Sequence, residues 1–147
     1  MNFKKILLSL LISFLIIATA KAGTGCSFGV GSVNFGSYDI LSNRPNDSVG
    51  SVDCQCSKDK KNYSVNVVFS GGNSPTYDRY MLFQNEKLLY NLFVDYNRQL
   101  IWGSNGQNMI CPGDDLPHSL VVYGRIFPGQ NISVGPYTDS LMVTFLF

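Results

Sequence analysis

The sequence is short of the residues that most enzyme chemistry uses. Its 147 residues contain one histidine and one tryptophan, and only 14% are Asp, Glu, Lys or Arg. A single imidazole leaves no second one for a histidine-rich metal site, and no nucleophile-elbow motif accompanies it. His118, with Asp114 and Asp115 nearby, therefore reads as a surface residue, and no catalytic constellation is expected. The adjacent carboxylates Asp114 and Asp115 read as a solvated loop rather than a glycosidase pair or a calcium site. Cys-x-x-Cys spacing is absent, which argues against zinc. No apolar stripe of helical period runs for any length, so helical folds are excluded. Neither Gly71-Gly72 nor Gly103 to Gly106 opens a helix, as a phosphate loop would. No cofactor and no metal is expected.

Charge of one sign is also missing. The formal net charge is +1, from eleven Lys and Arg against ten Asp and Glu. Three of the cations, Lys4, Lys5 and Lys21, lie in the first 22 residues, and none of the acids does. That stretch has a basic start, an apolar run from Ile6 to Ala18 broken only by Ser9 and Ser13, and the small-x-small site Ala20-Lys21-Ala22. It reads as a secretory signal peptide spanning 1–22. A retained anchor is the rival, but the run is short of the about 20 residues that a ~30 Å core needs. Cleavage leaves 23–147 as one domain, with its formal charge lowered to −2 and no membrane span. Nothing in that balance favours nucleic acid, whose binding releases counterions through a basic surplus.

The four cysteines, Cys26, Cys54, Cys56 and Cys111, all follow the signal. In an exported chain they imply two disulfides. Cys54 and Cys56 lie two apart on an expected strand and point the same way, too far apart for a relaxed bond with each other. Each then pairs with Cys26 or Cys111. Two connectivities remain, of which Cys26–Cys56 with Cys54–Cys111 is favoured.

What the mature chain has in quantity is short extended runs divided by Gly, Pro, Asn, Asp and Ser. Cys26 to Val30, Val33 to Tyr38, Val49 to Cys56 and Tyr63 to Ser70 come first. Tyr80 to Phe83 and Lys87 to Val94 form an expected hairpin around Gln84-Asn85-Glu86. Gln99 to Trp102 is a further short strand. Gly103 to Pro117 is polar and irregular, tied down by Cys111. His118 to Ile126 and Ser140 to Phe147 complete the set. Such spacing predicts an all-β antiparallel sandwich. In the last run Leu141, Val143, Phe145 and Phe147 fall on one face, and Met142, Thr144 and Leu146 on the other. A strand this apolar requires cover on both sides and a neighbour along its edge. Trp102, Tyr77, Tyr80 and Tyr96, near loops, suggest a sugar platform as an alternative reading, against which stands ordinary packing.

The order of motifs carries more than any single motif. It runs from Cys26 to Asn34-Phe35-Gly36-Ser37-Tyr38, then Arg79-Tyr80-Met81. Leu89-Tyr90-Asn91-Leu92-Phe93-Val94-Asp95 follows, with Arg98 and Trp102-Gly103. Next come Tyr123-Gly124-Arg125-Ile126 with Pro128-Gly129-Gln130, and last Gly135-Pro136-Tyr137-Thr138-Asp139-Ser140. In this the chain resembles the spore coat U domain family, whose best-understood members are pilins of the archaic chaperone–usher pathway. Cys54, Cys56 and Cys111 depart from the single early disulfide common there.

The resemblance implies an incomplete immunoglobulin-like sandwich of about six strands, the seventh supplied by a partner. That partner is first a periplasmic chaperone and then, at an outer-membrane usher, the N-terminal segment of another pilin subunit, a form of β-augmentation. It implies a structural subunit of a surface fibre, serving adhesion or biofilm formation, in the periplasm and on the surface of a Gram-negative bacterium. The acceptor groove then includes Leu141, Val143, Phe145 and Phe147. Only Gly23, Thr24 and Gly25 stand between the expected cleavage site and Cys26. A donor arm needs about five alternating apolar positions at ~3.3 Å per residue, so a terminal subunit that accepts a strand without giving one is expected. The alternative is a monomeric secreted carbohydrate-binding module.

Overall fold

The run from Asn46 to Cys56 is the strand on which the fold is built. Its side chains alternate: Val52, Cys54 and Cys56 turn inward and are buried, while Gln55 is exposed. In a computed structural model, the described residues are 25–59 and 61–147, together with the backbone of Lys5–Leu8. The elements in chain order are β1 (Lys5–Leu8), β2 (Cys26–Val30), β3 (Gly36–Asp39), β4 (Asn46–Cys56), β5 (Asn62–Phe69), β6 (Tyr80–Phe83), β7 (Glu86–Phe93), β8 (Gln107–Pro112), β9 (Pro117–Ile126) and β10 (Val143–Leu146). The assignment of 1–22 to a signal peptide falls outside the described residues, apart from the backbone of β1. That backbone pairs antiparallel with β3, Lys5 opposite Asp39 and Leu8 opposite Gly36.

The fold is an all-β sandwich of two antiparallel sheets. Five strands lie in the order β2-β4-β9-β7-β6 and three in the order β10-β5-β8. β4 pairs with β9 along its whole length, from Asn46 opposite Ile126 to Gln55 opposite Pro117. The chain crosses to the smaller sheet at β5, returns at β6, leaves at β8, returns at β9 and ends at β10. Apolar faces of the two sheets meet in one core, with Val52, Leu88, Leu92 and Val122 from the larger and Val65, Val67, Met109 and Val143 from the smaller. Trp102 is fully buried there. Its indole N–H donates to the Val67 carbonyl at 2.9 Å, and its ring meets Phe69 edge-on at 4.9 Å.

Several local expectations require correction. The stretch read as irregular, Gly103 to Pro117, contains β8. Asn and Gln hide its period, yet Met109 and Cys111 are buried while Asn108 and Ile110 are exposed. Gln99 to Trp102 is not a strand and makes only an isolated bridge, Ile101 to Phe93. The Asp95 carboxylate accepts the N–H groups of Gln99 and Leu100, which curls this segment into a turn, and Arg98 sits at φ 56° within it. Strand pairing after Val33 is confined to Gly36–Asp39, and after Ser140 to Val143–Leu146. The hairpin forms as expected, Phe83 opposite Glu86, with Gln84 at φ 53°.

A candidate strand-acceptor groove

The phase of each hydrogen-bond ladder shows which edges are open. In an antiparallel pair, bonded residue pairs alternate with non-bonded ones, so every second residue turns its N–H and C=O away from the neighbour. Ser70 N–H donates to the Met142 carbonyl at 2.9 Å. With Thr144 opposite Val68 and Leu146 opposite Asn66, these residues turn their backbone groups toward β5. Val143 and Phe145 turn theirs to the outer edge. On β2, Gly31 N–H donates to the Ser51 carbonyl at 2.8 Å and Ser57 N–H to the Gly25 carbonyl at 2.9 Å. Ser27 and Gly29 therefore face β4, and Cys26, Phe28 and Val30 face outward along the edge.

Both walls carry the same double character. Phe28, Val30, Val143 and Phe145 pack their side chains on the core while their backbone N–H and C=O groups face the gap. The Phe28 ring reaches across to β10, 4.7 Å from Phe145 and 5.4 Å from Phe147 between centroids. Among the described residues, no strand is paired with the outer edge of either β2 or β10. A strand laid between them would find bonding groups on both sides and phenyl rings beneath.

Behind β10 a buried polar cluster holds its anchoring. Arg79 is 1% exposed. Its Nε donates to the Ser70 carbonyl at 3.0 Å, Nη2 to the Trp102 carbonyl at 2.8 Å and, more weakly, the Phe69 carbonyl at 3.4 Å, and Nη1 to Asn91 Oδ1 at 2.8 Å. Asn91 Nδ2 donates in turn to the Tyr77 carbonyl at 2.7 Å. Tyr90 donates its hydroxyl to Asp139 at 2.7 Å, and Asp139 also accepts the N–H groups of Asn73 and Ser140. Burial pushes the Asp139 carboxyl upward, opposed by the Tyr90 bond, the two backbone donors and the Arg79 charge. Burial first, and then the Asp139 carboxylate, raise Tyr90 well above the ordinary phenol value. Arg79 thus fixes the end of β5 at Phe69 and Ser70, which lie opposite Val143 and Met142, and Ser70 bonds the latter.

The four side chains expected to line the groove divide into two pairs. Leu141 and Val143 are buried. Phe145 is half-buried and Phe147 is 62% exposed. The opposite wall, Cys26, Phe28 and Val30, was missed, although its alternation was visible in the sequence. Cys26 is bonded to Cys56, across the β2–β4 pair, and Cys54 to Cys111, which joins the two sheets.

The motif residues make packing and hydrogen-bond contacts within the sandwich. Asn34 Oδ1 accepts the Gly36 N–H, and Gly36 is at φ +66°. Phe35 packs edge-on against Tyr90 at 5.9 Å, and a Cβ on Gly124 would lie 2.7 Å from the Phe35 ring. Leu92 is core. Arg125 grips Asp47 with two bonds, at 2.7 and 2.8 Å, and holds that carboxyl below its ordinary range. Tyr123 lies under the Arg98 guanidinium. Pro128 and Gly129, the latter at φ +73°, turn the chain so that Gln130 N–H reaches the Tyr38 hydroxyl at 3.0 Å. Tyr137 donates to Glu86 at 2.6 Å.

Other candidate chemistry disperses. His118 faces Asp114 at 2.9 Å in a partly exposed pair, 34% and 37% by side chain. Among the described residues, no group of three or more His, Cys, Asp or Glu is placed to hold a metal ion. Trp102 is core, so the sugar platform loses its largest member.

With the outer edges of β2 and β10 unpaired among the described residues, the fold is of the incomplete immunoglobulin-like class. Comparison with protein-family models matches residues 12–144 to the Spore Coat Protein U domain, and the chain belongs to that family. Protein U of Myxococcus xanthus is 30% identical over 148 residues, covering 87% of this chain and 80% of that protein. Among solved structures, the chain is similar to one described as the CsuC-CsuE chaperone-tip adhesion subunit pre-assembly complex from archaic chaperone-usher Csu pili of Acinetobacter baumannii. The TM-score is 0.59 at 24% identity, over 83% of this chain and 39% of that one. The match therefore spans well under half of that chain's length.

Proposed function

We propose that this protein is a secreted structural subunit of a chaperone–usher surface fibre, assembled by accepting a strand between β2 and β10. The observation that carries the reading is the pair of open edges whose outward backbone groups belong to the residues that pack Phe28, Val30, Val143 and Phe145 on the core. A donor strand burying about 400 Å² of apolar surface there contributes on the order of 10 kcal/mol before ordering costs, at ~25 cal/mol per Å². That equals a domain's whole net stability, so a chain without a donor is prone to edge-to-edge aggregation and calls for a chaperone. The similar fold in a chaperone–tip subunit complex supports this partner. The expected partners are a periplasmic chaperone, an outer-membrane usher and other pilin subunits, in the periplasm and at the cell surface of a Gram-negative bacterium. Cleavage after Ala22 leaves three residues ahead of Cys26, which favours a terminal position in the fibre and a role in adhesion or biofilm formation.

The test is periplasmic expression of the chain alone and with a candidate chaperone. Soluble, stoichiometric complex only with the chaperone, lost in Phe28→Ser and Phe145→Ser, is the expected result. A chain that is monomeric and cooperatively folded by itself sinks the strand-acceptor reading. N-terminal sequencing tests the terminal position: a mature chain carrying an alternating apolar arm ahead of Cys26 refutes it.

A further inference from the structure

The two sheets have four outer edges. Two of them, β2 and β10, form the groove. The third, β6, is covered by the chain itself: Leu82 N–H donates to the Thr138 carbonyl at 2.8 Å, and Thr138 N–H returns the bond at 3.1 Å. The fourth is β8. Among the described residues, no strand pairs with its outer side.

Its phase is fixed by the bond from Gly113 N–H to the Lys61 carbonyl at 2.6 Å, next to the pair Pro112 and Asn62. Gln107, Met109 and Cys111 therefore turn their backbone groups toward β5, and Asn108 and Ile110 turn theirs outward. The side chains of these two residues are exposed as well, Ile110 by 55%. Natural proteins guard such an edge with charge, proline, a bulge or a covering segment. β8, Gln107-Asn108-Met109-Ile110-Cys111-Pro112, carries no charged residue, and its proline stands at the last position.

We infer that the outer edge of β8 is a second pairing surface, and that its partner is β8 of another copy of this chain. The edge is self-complementary. With Met109 opposite Met109 of the copy, Asn108 and Ile110 of each chain exchange N–H···O bonds with Ile110 and Asn108 of the other. Every outward N–H and C=O of both residues is then paired. A shift that sets Ile110 opposite Ile110 places Asn108 against Pro112, which has no N–H to give. The neutral edge brings no like charges together across the axis. The product is a two-fold dimer in which two three-stranded sheets become one of six strands. The surface is separate from the groove, since β5 lies between β8 and β10.

The test is sedimentation velocity of the full secreted chain over a range of concentration, as its soluble complex with the chaperone or, if the chain proves soluble alone, by itself. The variants are Ile110→Lys, Asn108→Lys and a control, Leu41→Lys, at an exposed turn residue outside β8. Amide hydrogen exchange of the wild type is measured at the lowest and highest concentrations. The wild type is expected to form a discrete two-fold dimer of the chain or of its complex. Exchange at Asn108 and Ile110 slows as the dimer forms. Each lysine variant at β8 weakens association by about ten-fold or more, because it sets a cation on both copies at one contact. Leu41→Lys leaves the dimer intact. The inference is overturned by a wild type that shows no such dimer throughout, by β8 lysine variants that associate as the wild type does, or by association lost equally in Leu41→Lys. Should the β8 variants fail to fold, exchange decides: fast exchange at both amides at every concentration also overturns it.

Discussion

Replacing Arg79 with alanine tests whether a buried guanidinium organises the back of the groove. The substitution removes four donated bonds, three to backbone carbonyls at Phe69, Ser70 and Trp102 and one to Asn91. Each buried carbonyl left without a donor costs about 1 kcal/mol or more. Asp139 also loses the nearby positive charge of Arg79, a smaller effect than the four bonds. The expected loss is about 4 kcal/mol, a large part of a domain's 5–15 kcal/mol. Trp102 reports directly, being the only tryptophan and accepting Arg79 at its own carbonyl. In urea, with m about 2 kcal/mol per M, its emission midpoint falls by about 2 M with the disulfides intact. Arg79→Lys keeps a cation but not the planar fork and falls between the two. Arg79→Met keeps most of the apolar stem. A midpoint for Arg79→Ala within about 0.5 M of wild type, or an Arg79→Met variant as stable as wild type, would show that these bonds do not hold the fold and would refute the reasoning.

Asp139, whose carboxyl is raised in the folded chain from a starting value of 3.8, contributes stability that is full below that value. The contribution is lost as pH rises through the folded value. Urea midpoints measured from that point upward are expected to show this falling component in the wild type and not in Asp139→Asn. Asp47, lowered by Arg125, acts in the opposite sense: its contribution is present above the ordinary carboxylate value and lost as pH falls through the folded one. Asp47→Asn is thus expected to flatten the acid limb of the same titration. Gly124→Ala sets a methyl 2.7 Å from the Phe35 ring and 2.8 Å from Val33 Cγ1, and this overpacking costs about 1–3 kcal/mol by denaturant midpoint. Removing the sheet-to-sheet bond with Cys54→Ala and Cys111→Ala together opens a loop closed over a separation of 57 residues. The expected cost is about 4 kcal/mol by thermal unfolding.

Local alternation told most where one face of a strand is apolar. Val52, Cys54 and Cys56 on β4, and Val65, Val67 and Phe69 on β5, show their buried face in the sequence because the period of two is unbroken. β8 escaped because Asn and Gln flank its buried Met109 and Cys111. The turn at Asp95 escaped because its cause is one carboxylate meeting two N–H groups, which composition does not display. The apolar faces of the last strand were legible, but not the strand whose phenyl ring meets them. Nothing local says that Phe28 crosses to Phe145, since the contact joins the first and last strands of the sandwich. The motif residues were legible as a set, yet their spacing does not show which contacts they make within the sandwich.

The bond between Cys26 and Cys56 fastens β2 at the edge of the larger sheet. Cys26 is the first residue of β2, and its outward backbone groups belong to an edge with which no strand pairs among the described residues. Without the bond, the five residues of β2 hold their place by the ladder with β4 and by the half-buried Phe28 and Val30 side chains. With it, the first strand of the sandwich is tied covalently to the strand that β9 pairs along its whole length. Reduction is therefore expected to free the β2 edge while β4 keeps its place.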